Sequence, residues 1–169
     1  MEKNLTTRCV AIVEKCAMTE TALRYILSND AGKRYSIHFY KDTQALKREF
    51  ASKNFIAVIF SLSGSRRIRL ESLLFLHEIA QTRPEIQRIV LADNTAEMRL
   101  ISHLTPSSPQ TILNKSSCLT RLQERLLQLI EQAPLDKESI LNRSYSSCGQ
   151  ILSPTEHTIL RYMTYGYSL

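Results

Sequence analysis

The sequence predicts an α/β domain built on a five-stranded, parallel, doubly wound sheet. Three short runs are apolar except for Arg88 at the start of the third, which is typical of strands that are buried on both faces of a parallel sheet. These runs span residues 9–13, 56–60 and 88–92. A segment with helical spacing follows each run. Strands that alternate with helices in this way indicate a parallel sheet covered by helices on both sides.

The other elements follow from spacing. Residues 35–40 alternate in polarity, which predicts a strand nearer the sheet edge, and residues 111–113 predict a last short strand. The predicted helices span residues 19–27, 68–80 and 119–132, with two more that end at residues 50 and 104. Together these segments give five βα units.

Three helix starts carry a capping signal. Asp42 precedes the helix that ends at residue 50, and Asn94 with Glu97 three residues later forms a possible capping box. Ser117 is expected to cap the last helix of the domain.

Composition excludes several classes of protein. The chain has 169 residues, 43% of them apolar, and a net charge of +6. No apolar run approaches the roughly 18 residues of a membrane span, and the N-terminus lacks the pattern of a signal peptide. We therefore expect a cytoplasmic protein with no membrane contact.

The potential metal ligands and the basic residues do not indicate a metal site or a phosphate-binding site. The four cysteines and four histidines are scattered without zinc-ligand spacing, so we expect neither a metal nor a cofactor. The one dense basic cluster is Arg66, Arg67 and Arg69. It is interpreted as a solvated helix start rather than a phosphate-binding site.

The last part of the chain differs from the rest. We expect a first domain over residues 1–132, a polar linker over residues 133–150 and a new module over residues 151–169. The linker is rich in serine and follows a proline that ends the preceding helix.

A well-formed helix start opens this last module. Ser153 and Glu156 fit a capping box, and Pro154 occupies the first helical position, where a missing N–H costs nothing. Gly166 can end the helix in the left-handed conformation. This order resembles the opening of a LuxR-type helix-turn-helix. The resemblance implies that these residues hold the first helix of a DNA-binding module, without the helix that reads DNA.

Five βα units, a linker and such a helix start together resemble a response regulator. The receiver domain of that family carries an acidic pair after strand one and a phosphoacceptor Asp after strand three. It carries a hydroxyl after strand four and a Lys after strand five. In the same order, the residues here are Glu14 with Lys15, Ser61 or a residue one or two positions away, Ala92 and Lys115.

These substitutions remove the charge that phosphoryl transfer requires. One member of the acidic pair is a lysine, and no Asp or Glu occurs from Lys53 to Leu70. Ser61 cannot form an acyl phosphate, and a single carboxylate is a poor site for Mg²⁺. The strand ends therefore predict a degenerate phosphorylation pocket, and we do not expect an enzyme.

The retained charges need a structural explanation. We expect Glu14 and Lys115 to form an ion pair, or Lys15 to fold over Glu14. A site for a small ligand is the less favoured alternative, and no small-molecule ligand is expected. Asp93 is a nearby carboxylate, but it follows a different strand from the acceptor position.

Four segments in order make the resemblance more specific. They are residues 10–16, 88–93, 99–104 and 152–163, and together they resemble an atypical, LuxR-type branch of the response regulators. The resemblance implies a transcription regulator that acts without phosphorylation. It implies activation of silenced promoters as a heterodimer with the response regulator RcsB, with DNA bound through a complete helix-turn-helix. The alternative is a stand-alone interaction module that pairs with a response regulator without binding DNA.

The resemblance also suggests a pairing face, made by the helix that ends at residue 104, the last strand and the last helix. Met98, Ile101 and Leu122 are the proposed contacts, although each could instead belong to the core.

Overall fold

The computed structural model describes residues 7–28, 34–104 and 111–132. All five predicted strands and all five predicted helices lie in these ranges. In chain order they are β1 (Cys9–Val13), α1 (Ala17–Ser28), β2 (Ser36–Tyr40), α2 (Thr43–Phe50), β3 (Phe55–Ser61), α3 (Arg66–Thr82), β4 (Gln87–Ala92), α4 (Thr95–Leu104), β5 (Ile112–Asn114) and α5 (Leu119–Glu131). The α/β fold class is confirmed.

The strands pair in the order β2-β1-β3-β4-β5, and every pair is parallel. This doubly wound order reverses direction between β1 and β3. Open α/β sheets bind ligands in the crevice outside the carboxyl ends of the strands, at such a reversal. The topology therefore directs attention to the residues that follow β1, β3, β4 and β5.

Each face of the sheet carries its own apolar core. On one face, alternate residues of the central strands pack with apolar side chains of α2, α3 and α4, including Leu46, Leu73 and Ile101. On the other face, the intervening strand residues pack with α1 and α5, including Leu23 and Leu126. Strands β1 and β3 are buried along their whole length, as the apolar runs predicted.

Two of the predicted caps are confirmed. The Asp42 side chain accepts a hydrogen bond from Ala45 N and caps α2. At α4, Glu97 N donates to Asn94 Oδ1 at 2.9 Å, as in a capping box. The Glu97 carboxylate closes the box one residue further back than usual, because it accepts from the Asp93 N–H.

The predicted cap of α5 is wrong. Cys118, not Ser117, is the N-cap residue, and its side chain makes no capping hydrogen bond. Ser117 N instead donates to Asn114 O at 3.1 Å. Ser117 therefore belongs to the turn after β5, one residue before the helix begins.

Strand β2 is an edge strand and is mostly half-buried, which confirms its predicted position. His38 lies near its middle. The His38 ring has Nε2 3.0 Å from Ser36 Oγ and Nδ1 3.3 Å from Lys53 Nζ. Partial burial, with the positive charge of Lys53, lowers the pKa of His38.

No helix among the described residues has the length and apolarity to cross a membrane.

The lowered pKa of His38 predicts a pH dependence of stability. Folding favours the neutral ring, so its stabilising contribution is present above the pKa of the unfolded chain, about 6.5. That contribution is lost as the pH falls below that value and through the folded pKa. We expect the free energy of unfolding of wild type to fall more between pH 7.5 and pH 5.5 than that of His38→Gln. Urea titrations at both pH values measure this, and equal losses in the two proteins would contradict the prediction.

Candidate functional site

The carboxyl ends of the four strands β1, β3, β4 and β5 meet at one edge of the sheet. Val13 pairs with Phe60, and Ala92 pairs with Asn114. The residues that follow these positions are therefore neighbours in space. The structure brings the predicted pocket residues to this edge, although their contacts differ from those we expected.

Glu14 is almost fully buried, with 1% of its surface exposed, and no ion pair joins it to a lysine or arginine among the described residues. Its Oε1 accepts hydrogen bonds from Ser63 Oγ and from Cys16 N, both at 2.7 Å, while its Oε2 has no hydrogen-bond partner. The expected ion pair with Lys115 is therefore wrong, and so is the alternative in which Lys15 folds over this carboxylate. Glu14 holds the turns after β1 and β3 together.

Lys115 instead pairs with Asp93. Its Nζ donates to Leu62 O at 2.7 Å and lies 2.9 Å from Asp93 Oδ1. The side chain of Lys115 is only 13% exposed. The sequence alone does not assign Asp93 to the pocket, because it follows a different strand from the acceptor position. The strand order explains why it nevertheless pairs with Lys115: β4 and β5 are neighbours, so the residue after β4 lies beside the residue after β5.

Arg69 joins the same cluster. Its guanidinium lies 3.0 Å from Asp93 Oδ2 and 2.9 Å from Glu97 Oε1. Arg69 is therefore not part of a solvated helix start, which corrects our interpretation of the basic cluster at this position. Arg67 does match that interpretation, because it is exposed and pairs with Glu71 one turn along α3.

We call Arg69, Asp93, Glu97 and Lys115 the Asp93 network. It contains two cations and two carboxylates, so its formal charge balances. Glu97 is 7% exposed, and burying a carboxylate costs free energy unless it is paired and hydrogen-bonded. Hydrogen bonds to charged groups of this kind contribute on the order of 1–2 kcal/mol each when partly exposed. Lys115 is thus already neutralised by a carboxylate of the chain itself.

Ser61 lies at the end of β3, at the position expected for the phosphoacceptor. It is 6% exposed, and its Oγ has no hydrogen-bond partner. It lines a cavity of about 350 Å³ together with Lys15, Lys41, Thr43 and Ser63. Ala92 is fully buried in the core and has no hydroxyl to offer.

The receiver fold implies Mg²⁺ at this edge, but the residues do not fit it. Magnesium prefers several hard oxygen ligands, and carboxylates supply them in most sites. Glu14 is the one carboxylate left at the position of the acidic pair, and its Oε1 is already bonded to Ser63 and to Cys16 N. The carboxylate of Asp93 is bound by Lys115 and Arg69. Within residues 7–28, 34–104 and 111–132, no group of three His, Cys, Asp or Glu side chains could hold a metal ion.

The expected pairing contacts are only partly on the surface. Ile101 is fully buried in the core beneath α4, so its expected role as a surface contact is wrong. Leu122 is 7% exposed and packs in the opposite core, yet it also reaches the floor of a groove. Met98 is half-buried and borders the same groove.

This groove, the α4–α5 groove, has a volume of about 310 Å³. Its lining residues are Met98, Ile112, Leu113, Asn114, Ser117, Arg121, Leu122 and Arg125. The floor is apolar and the rim carries two arginines. Neither arginine was singled out by sequence, because their position on the groove depends on how α5 docks on the sheet.

The helix-start residues Ser153, Pro154 and Glu156 lie outside the described residues.

One curated protein shows a close relationship. The chain is 35% identical over 162 residues to the transcriptional activator protein BglJ of Escherichia coli (strain K12). The match covers 96% of this chain and 72% of that protein. No protein-family model matches the chain.

Solved structures of response regulators share the fold. The RcsB response regulator of Salmonella typhimurium superposes with a TM-score of 0.57 at 20% identity, over 97% of this chain and 78% of that one. A response regulator from Thermotoga maritima gives a TM-score of 0.55 at 18% identity, over 74% of this chain and 98% of that one. A signal receiver domain of an HD domain-containing protein from Pseudomonas fluorescens Pf-5 gives a TM-score of 0.59 at 18% identity. That match covers 78% of this chain and 93% of the other one.

The edge geometry predicts that the chain takes up no phosphoryl group from acetyl phosphate and Mg²⁺. Ser61 offers no carboxylate, and the residues around it do not form a magnesium site. Intact-mass measurement after incubation should show an unchanged chain, while a receiver domain with an intact acceptor Asp gains one phosphoryl group in parallel. A stoichiometric, base-labile phosphate adduct on this chain would refute the prediction.

Proposed function

The chain belongs to the family of the transcriptional activator BglJ, and on that premise we propose that it is a DNA-binding transcription regulator whose receiver-like domain acts without phosphorylation. The observation that carries this proposal is the Asp93 network. Lys115, the residue that neutralises a phosphoryl group in the receivers this chain resembles, is bound by Asp93 at 2.9 Å. No phosphoryl group is needed to satisfy its charge, so we place no phosphorylation switch in this domain.

We assign DNA binding to the end of the chain. Residues 1–132 would form the receiver-like domain, residues 133–150 a linker and residues 151–169 the start of a LuxR-type helix-turn-helix. Ser153, Pro154 and Glu156 would begin its first helix. DNA would be contacted through the complete module, with phosphate contacts supplying affinity and a helix in the major groove supplying specificity. Such a protein would act in the cytoplasm.

We propose that the regulator works as a heterodimer with the response regulator RcsB and activates silenced promoters. The α4–α5 groove supports a pairing surface on this face. Protein interfaces combine an apolar centre with a polar rim, and arginine is enriched in them. The groove has Met98 and Leu122 in its apolar part and Arg121 and Arg125 at its border. A partner that presents an apolar side chain flanked by carboxylates fits this surface.

The groove also favours a second candidate function. It lies wholly within the receiver-like domain, so pairing needs no residue of the DNA-binding module. A stand-alone interaction module would pair with a response regulator through the same groove and bind no DNA. The two candidates differ in DNA occupancy, not in pairing.

We predict that Met98→Asp weakens binding to the RcsB receiver domain by about tenfold or more, since loss of a central interface side chain commonly costs over 1 kcal/mol. The fold should persist because Met98 is only half-buried. Calorimetry without a phosphoryl donor measures the affinity. The matched control is Met18→Asp, which makes the same change at a side chain that is 83% exposed on α1. Equal affinities for the two variants would place the interface elsewhere.

Ile101→Asp should behave differently from Met98→Asp. Ile101 is fully buried, so an unpaired charge there should unfold the domain rather than weaken pairing selectively. Circular dichroism and a thermal melt test this, and a folded Ile101→Asp variant that has lost only partner binding would restore Ile101 as a contact.

Promoter activation should follow pairing. We expect cells that express wild type or Met18→Asp with RcsB to show the same set of activated transcripts and occupied DNA sites. The Met98→Asp variant should lose both. Transcript profiles and chromatin immunoprecipitation measure these outcomes. Pairing without any DNA site gained in wild-type cells would favour the stand-alone interaction module.

A further inference from the structure

We propose that Asp93 is a positioning residue that serves as a built-in anion, taking the place of a bound phosphoryl group and holding the pairing face in one conformation. This inference rests on the proposed function, in which the domain works without phosphorylation. The inference adds to that function by naming Asp93 as the residue that allows the domain to work without phosphorylation.

Both oxygens of the Asp93 carboxylate are used, and each binds a cation from a different part of the fold. Oδ1 lies 2.9 Å from Lys115 Nζ after β5, and Oδ2 lies 3.0 Å from Arg69 on α3. Lys115 extends the chain of contacts to the turn after β3 through its 2.7 Å hydrogen bond to Leu62 O. One carboxylate thus ties three segments at the sheet edge.

The main chain of Asp93 is fixed as well. Its N–H donates to Glu97 Oε2 at 2.8 Å, and its carbonyl accepts from Ser116 Oγ at 3.0 Å. The first contact reaches the first turn of α4, and the second reaches the turn between β5 and α5. Met98 of α4 and Ser117 of this turn both line the α4–α5 groove. The position of Asp93 is therefore coupled to the position of the pairing face.

Charge explains why an anion is required here. Without Asp93, Arg69 would keep Glu97 as its carboxylate partner, and Lys115 would keep only its hydrogen bond to Leu62 O. Removing one member of a partly buried ion network leaves the other charges uncompensated. The surrounding segments would then separate or admit an anion from solution. The Asp93 side chain is 43% exposed, so a small anion could reach the vacated position.

The test uses the full chain with Asp93→Ala, and Glu78→Ala as the matched control. Glu78 is also a carboxylate in an ion pair, with Lys47, but it lies outside the Asp93 network. Hydrogen exchange followed by mass spectrometry reports local opening. We expect exchange in α4 and residues 112–118 to be about tenfold faster in Asp93→Ala than in wild type, with α1 and β2 unchanged. Sodium formate should restore slow exchange in Asp93→Ala, whereas sodium chloride at equal ionic strength should not.

Partner binding supplies the second measurement. Affinity for the RcsB receiver domain should fall about tenfold in Asp93→Ala and recover with formate. Unchanged exchange in α4 would overturn the inference, and so would unchanged affinity where wild type binds. If wild type itself binds no RcsB while formate still restores slow exchange, the built-in anion stands and the proposed partner fails. If Asp93→Ala does not fold, Asp93→Asn, which keeps the shape and removes the charge, takes the same test.

Discussion

The ion pair between Asp93 and Lys115 sets the character of this domain, because it determines what the carboxyl edge of the sheet can still bind. Lys115 is nearly buried, and a cation in that position needs a negative partner. Asp93 provides it from the neighbouring strand end, and Arg69 then binds the second oxygen of the same carboxylate. The charges of the Asp93 network are thus balanced within the chain. Arg69, Glu97 and the first turn of α4 are arranged around that pair.

The sheet makes such an exchange of charges possible without a change of fold. Strands β1 and β3 are buried on both faces, and each face has its own core. These cores fix where each strand ends, whatever residue follows. The ends can therefore lose an acidic pair or an acceptor while the architecture persists. Glu14 illustrates the result: the carboxylate remains, but it now holds two turns together through Ser63 and Cys16 N.

Within the described residues, local patterns in the sequence predicted every helix and strand, the parallel arrangement, the edge position of β2 and the caps at Asp42 and Asn94. These features depend on residues close together in the chain. Apart from the cap of α5, which lies at Cys118 and not at Ser117, the errors concern residues that are distant in the chain. The pairing of Lys115 with Asp93 rather than Glu14 follows from the adjacency of β4 and β5, which hydrophobic spacing does not encode. For Ile101 the sequence left both a surface contact and a core position open, because the apolar positions of α4 do not reveal which of them faces the sheet.

A pocket whose lysine is already paired with a carboxylate of the chain responds differently to phosphorylation from a pocket whose lysine is free to bind a phosphoryl group. A ligand shifts a conformational equilibrium only by its difference in affinity for the two states. When Lys115 is already neutralised in the resting domain, an added phosphoryl group gains little from it, and little free energy remains to drive a switch. If the proposed function is right, the activity of the regulator therefore depends on the concentration of the partner and on how well the α4–α5 groove binds it. The residues of the Asp93 network would then serve to keep that groove in shape.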